Sequence, residues 1–306
     1  MRKAFAETLI KVAEEDPRVI FLTGDLGFQV FDEFKEKFGP RYLNVGVAEA
    51  EMVLAAAGLA FEGWRPIAYS IASFATGRAF EQIRISVNYP DLPVVIVGAG
   101  GAFTYSKSGI THHAVEDAAL MSLLSNMTIV LPGDPNEVKE LFPQLFKIKG
   151  PSYIRIGRYG EPEYKSDSPI ILGRGRLLKD GEKVAIVSTG DMAVAALEAW
   201  TELESKNIYP MILQFHTVKP LDVSLLNEIS KNVDTIIIAE EQSLFGGLNA
   251  AVNNWRNEAG KDVKITRLGP PDKLALGNLQ RDELRRRFNY DPESIFKECK
   301  EAWRKT

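Results

Sequence analysis

The chain has 306 residues, enough for two domains that each bury a core, and its 45% hydrophobic and 25% charged content is ordinary for a globular protein. A net charge of −4 gives no electrostatic reason to expect nucleic acid or an anionic membrane as partner, and a lone cysteine, Cys299, excludes an internal disulfide framework or a multi-cysteine metal site. The opening MRKAFAETLIKVAEEDP carries acids among its apolar residues, unlike a secretory leader, and no apolar run is long enough to cross a bilayer; a cytoplasmic location is expected.

Phe5, Leu9, Val12 and Ala13 recur at helical spacing and stop before Pro17. VIFLTGD (19–25) is a short apolar run ending in Gly-Asp, as a buried parallel strand would. A helix follows over about 47–61, then a strand at RPIAYSI and a helix through GRAFEQIRISV. PVVIVGAG and MTIVLPG read as strands with VEDAALMSLLSN as the helix between them, and DPNEVKELFPQLF and SYIRIGR complete the series. Segment 159–169, YGEPEYKSDSP, is polar, holds two prolines and lacks periodicity. Beyond it the alternation restarts: KVAIVSTG, AVAALEAWTELES, YPMILQF, LDVSLLNEIS, DTIIIAEE, GGLNAAVNNW, VKITRLG and an amphipathic tail, DPESIFKECKEAW. The fold class is therefore α/β, with two domains, each a mostly parallel sheet flanked by helices. The expected division is 1–160, a linker at 161–169, and 170–306.

Open α/β sheets bind ligands at the carboxyl ends of their strands, which singles out Asp25, Phe74, the loop from Gly98 to His113, and Arg158. GAGGAF (98–103) offers only part of a dinucleotide fingerprint: Phe103 stands where a third glycine is needed, and a polar loop follows instead of a helix. In GITHHAVED, His113 and Asp117 would share a helix face, but no third metal ligand is evident; a histidine that bonds a polar ligand or moves a proton fits better. Arg158 and Arg2 each suit a phosphate or carboxylate clamp, or simply the surface. His216 reads as structural. In NVGVAEAEM, Glu49 and Glu51 lie two apart, so only one of them faces the interior of a helix. Pattern alone favours both acids merely complementing the helix dipole.

DLG after a strand, NVGVAE, FATGRAFEQIR, GITHHAVED, PSYIRIGR, VKPLD and EEQSLFGGL occur in one order along the whole chain. This ordered set resembles the C-terminal half of the transketolase family, comprising its pyrimidine-binding domain and its C-terminal domain. Its relatives include 1-deoxyxylulose-5-phosphate synthase and the beta subunits of 2-oxo-acid dehydrogenases. The resemblance implies that thiamine diphosphate is bound between chains. It assigns Glu49 to proton exchange with N1′ of the aminopyrimidine, Phe74 to stacking on that ring, and Asp25 and Ile71 to the cofactor pocket. It counts Glu49 and His112 as catalytic, and His112, His113, Arg158, Arg2, Gln29 and Ser108 as substrate-binding. Flanking Val, Ala, Leu and Met suit an acid that shares a proton.

The family's diphosphate motif, GDG followed by a metal-binding Asn, is not matched: TGDLG has Leu26 in place of the second glycine and lies at the pyrimidine-domain position. The resemblance thus implies one subunit of a split transketolase, with no metal site of its own. The partner is an N-terminal-half subunit that holds magnesium and the diphosphate, in a dimeric or heterotetrameric assembly. The substrate implied is a sugar or sugar phosphate. Against the family's sugar site, Ser108 stands where an acid is expected, Gly100 about where a histidine is and Gln29 where a serine is, and Ile71 replaces an aromatic of the pyrimidine pocket, which suggests a specialised two-carbon ketol transfer. The rivals are a 2-oxo-acid dehydrogenase beta subunit, a 1-deoxyxylulose-5-phosphate-synthase-like enzyme, and a non-catalytic paralogue.

Overall fold

The apolar runs become strands whose alternate residues face opposite helical layers. In the computed structural model, which describes residues 1–158 and 160–305, the first half contributes β1 (Val19–Thr23), β2 (Tyr42–Asn44), β3 (Arg65–Ile71), β4 (Val95–Ala99), β5 (Thr128–Val130) and β6 (Ser152–Ile156). The second half contributes β7 (Arg176–Lys179), β8 (Lys183–Ser188), β9 (Met211–Gln214), β10 (Thr217–Lys219), β11 (Val233–Ala239) and β12 (Lys264–Leu268). The first sheet runs β10-β5-β6-β4-β3-β1-β2 and the second β12-β11-β8-β9-β7. All pairings are parallel except β10 on β5 and β7 on β9.

On one face of the first sheet, Val19, Phe21, Ile67 and Tyr69 pack with Phe5, Leu9 and Val12 of the helix Arg2–Glu15. On the other, Ile20, Leu22, Ala68 and Ile96 pack with Met52, Val53 and Ala56 of the helix Glu49–Phe61. Coverage of both faces is what near-continuous apolar strands require. The second core continues into the other half through Ala185, Val187 and Leu213. The tail helix Pro292–Trp303 covers the far face of the second sheet with Ile295 and Cys299.

Three features depart from the expected pattern. The helix expected through GRAFEQIRISV begins upstream of that run and is wound as π turns over Phe74–Arg78 and Ile83–Asn88, separated by one short α stretch at Phe80–Gln82. The helix expected over VEDAALMSLLSN is trimmed to Asp117–Ser122. Strand β10 leaves its own half to close the edge of the first sheet, with Thr217 opposite Val130. Residues 160–169 carry no helix or strand but are docked: Tyr164 N donates to Asp134 Oδ2 at 3.3 Å and Ser166 Oγ donates to the Leu177 carbonyl. Tyr159, within the segment read as polar and aperiodic, lies outside the described residues.

Candidate active site

Because β1, β3, β4 and β6 are parallel neighbours, the residues that follow them gather along one edge of the sheet. Glu49 opens its helix there and is 3% exposed, whereas Glu51 faces solvent. Geometry thus selects the first acid of NVGVAEAEM. Ser70, near the end of β3, donates from Oγ to Glu49 Oε1 at 2.9 Å, and Arg78 donates from Nη1 to Oε2 at 3.2 Å. Gly24, just past β1, forms one wall: a Cβ there would stand 3.4 Å from the Gly46 carbonyl and 3.6 Å from Glu49 Oε1.

From Arg78 the contacts run outward. Its guanidinium carbon lies 3.7 Å from the centroid of Phe74, the first residue of the same π turn. Residues four apart share one face of such a turn, as they do on an α-helix, and π turns concentrate at functional sites. Phe74 meets the His112 ring edge-on, centroids 5.0 Å apart. His112 Nδ1 pairs with Thr111 Oγ1 at 2.9 Å, and Ser73 Oγ donates to the Thr111 carbonyl at 3.1 Å, tying the histidine loop to the π segment. Partial burial first, then the cationic Arg78, holds the His112 imidazole below its ordinary pKa, so it is neutral at pH 7.

Asp25 sits exposed on the rim, with φ +56°, and exchanges two 3.0 Å hydrogen bonds with Asn44. Ile71 closes β3, half-buried. Arg2, Gln29 and Arg158, distant in sequence, line one hollow of about 370 Å³. Arg158 also borders a polar cleft of about 630 Å³ with Ser108, Lys107 and, from the second half, Asp191 and Arg281. His113 does not join His112. Its backbone is extended after a 3₁₀ turn, and its ring is buried against Phe103, centroids 5.0 Å apart, facing a hollow lined by Ser243 and Pro270. The histidine pair therefore splits, one ring toward Phe74 and one toward the second domain.

The glycine loop serves close packing. Gly100 has φ +72°, and a Cβ there would fall 2.1 Å from the Tyr105 ring; at Gly101 it would fall 2.0 Å from Arg155 Cδ. Asp117 accepts from Arg155 Nη1 at 3.2 Å and from the Tyr153 hydroxyl at 2.6 Å, so it anchors the end of the histidine loop. Sequence reading passes over Ser70, Arg78 and Asn44. Arg78 lies inside the quoted FATGRAFEQIR, but an arginine in a helical run reads as solvated surface.

The residues present suit an aminopyrimidine: a shielded carboxylate in a glycine-walled cradle, an aromatic ring next to it, and a neutral imidazole beyond. Comparison with known proteins decides the family. Residues 1–160 match the model described as "Transketolase, pyrimidine binding domain", and residues 173–295 match "Transketolase, C-terminal domain". The chain belongs to the transketolase family. Within that family it is 32% identical to one of the apulose-4-phosphate transketolase subunits of Phocaeicola vulgatus, over 98% of this chain and 96% of that protein. It is 33% identical to a 6-deoxy-6-sulfo-D-fructose transketolase subunit of a Clostridium species, over 99% of this chain and 94% of that one. A solved structure described as a split-gene transketolase in an inactive β4 tetramer superposes with a TM-score of 0.88 at 33% identity, covering 98% of this chain and 97% of that one. Among the described residues of this transketolase-family chain, no helix is long and apolar enough to cross a membrane.

Proposed function

We propose that this chain is the C-terminal subunit of a thiamine-diphosphate-dependent enzyme that transfers a two-carbon ketol unit between sugars, completed by a separate subunit that holds the diphosphate and magnesium. The observation that carries the reading is the cluster Glu49–Phe74–His112, which brings a shielded acid, a ring and a neutral base to one strand-end edge. Two relatives of matching length are themselves named as transketolase subunits, which supports a chain that works with a partner.

When bound, thiamine diphosphate supplies the electron sink for cleaving and forming a carbon–carbon bond next to a carbonyl. Glu49 holds or releases a proton at the pyrimidine edge, steadied by the Ser70 hydroxyl. Phe74 offers a flat face to the ring. His112, kept neutral, accepts or donates a proton at a substrate hydroxyl. Arg2, Gln29 and Arg158 hold the far end of the substrate, and a phosphate suits their two guanidinium groups. Ser108 borders the adjoining cleft, Asp25 and Ile71 the rim of the pocket, and His113 supports the loop from behind. Without its partner the chain is expected to self-associate, as the similar β4 assembly does.

The test is to co-express the chain with a candidate N-terminal-half subunit, titrate thiamine diphosphate and magnesium, and assay ketol transfer from ketoses to aldehydes. Unchanged cofactor affinity and activity in Glu49→Ala would sink the assignment. Reduction of a dye acceptor with a 2-oxo acid would instead favour the dehydrogenase reading.

A further inference from the structure

Arg78 joins the two residues on which the proposed cofactor pocket rests. Its Nη1 donates to Glu49 Oε2 at 3.2 Å while its guanidinium lies 3.7 Å from the centre of the Phe74 ring. Ser70 takes the other carboxylate oxygen, so both oxygens of Glu49 are engaged. The two partners differ in freedom: the Arg78 side chain is 47% exposed and the Glu49 side chain 2%. The acid is fixed in its cradle, and the arginine has solvent to swing into.

A guanidinium is a flat cation that donates through an N–C–N edge to a carboxylate and stacks on an aromatic face. An aminopyrimidine is also flat, and in the function proposed above one of its ring nitrogens would use the same carboxylate and its face the same ring. We propose that Arg78 is an internal placeholder for that ring: it neutralises Glu49 and stacks on Phe74 until the cofactor displaces it. This rests on the function proposed above. The benefit is electrostatic, because a buried carboxylate with no cationic partner is strongly destabilising. The consequence is a weaker apparent affinity, since docking must first break a charge-assisted hydrogen bond.

The experiment uses the complex with its partner subunit and measures the Kd for thiamine diphosphate, at saturating magnesium, by calorimetry. Arg78→Met is expected to bind about three- to tenfold more tightly, the range set by one charge-assisted bond from a half-exposed donor. Arg78→Lys keeps the charge but not the flat stack, and should fall between; it also carries the test if Arg78→Met does not fold. Arg84→Met, at an exposed arginine of the same segment, should leave Kd unchanged. Unchanged binding in both Arg78 variants overturns the placeholder, and weaker binding overturns it and makes Arg78 a residue that holds the cofactor. Glu49→Gln separates the two levels. If it leaves ketol transfer at saturating cofactor unchanged, or if the complex binds no cofactor, the proposed function fails and the placeholder with it. If it abolishes ketol transfer while the Arg78 variants fail to tighten binding, only the placeholder fails.

Discussion

Arg176 reaches across from the second half of the chain to Glu137, with Nη1 2.6 Å from Oε1 and both side chains shielded from solvent. Glu137 also accepts from the backbone N–H of Gly133 and from Gln214 Nε2, so three segments meet on one carboxylate. Removing one member of such a pair leaves an uncompensated buried charge. Arg176→Met or Glu137→Leu is therefore expected to destabilise the chain by about 3–5 kcal/mol. Urea unfolding of the purified chain measures this; a loss below about 1 kcal/mol would show that the pair is not what joins the halves.

Glu49→Gln keeps the shape of the side chain and the Ser70 contact but cannot exchange a proton as a carboxylic acid does. In the assembled complex it is expected to lower kcat by about 100-fold or more. Ser70→Ala leaves the acid in place and should cost far less. Equal losses in the two variants would point to packing around Glu49 in place of its proton.

Two histidines contribute to the pH response of stability. Burial holds His216 below its ordinary value of 6.5, and burial with Arg78 does the same for His112. Below 6.5 the unfolded chain binds protons that the folded chain refuses, so this contribution to stability is complete above 6.5 and is lost as pH falls through the folded values. Unfolding free energies at pH 7.5 and 5.5 should differ less in His216→Asn than in the unchanged chain. An identical difference would show that His216 has no part in the response.

Gly100→Ala is expected to cost about 1–3 kcal/mol, because a side chain at φ +72° is strained and would meet the Tyr105 ring. Tyr105 approaches His112 with ring centroids 6.1 Å apart, so activity of the complex should fall along with stability. A variant that loses stability but keeps full activity would separate the glycine loop from the site.

Cys299 is buried in the second domain and its thiol is pushed up to about 12 by that burial. A disulfide exchange reagent at pH 8 should leave it untouched in the folded chain and modify it fully in urea. Rapid labelling without denaturant would place the tail helix Pro292–Trp303 in frequent detachment.

The strand–helix alternation is legible in the sequence because both faces of each sheet are covered, which writes nearly unbroken apolar runs such as VIFLT and VVIVGA. Strand β10 is not legible: three residues beside His216 gain their structure from an edge almost ninety positions away, and nothing local requires it. Phe74 can be singled out by its place after a strand, whereas Glu49 is chosen over Glu51 only by the resemblance to the transketolase family, since the pattern alone leaves both acids as complements of the helix dipole. Arg78 cannot be singled out, since its partner becomes visible only when the run winds as a π turn against the mouth of another helix. His112 and His113 look equivalent as letters; a single extended residue after the 3₁₀ turn sends their rings to opposite sides.

The loan of β10 to the first sheet limits how this polypeptide can be subdivided. A fragment ending near residue 160 would leave β5 as a bare edge, with unpaired backbone groups open to any passing strand. Its counterpart would carry Thr217–Lys219 with nothing to pair against. The covalent seam at 161–169 is thus a poor place for gene fission, even though it carries no helix or strand. Inheritance, domain shuffling and recombinant expression should treat the two halves as one unit.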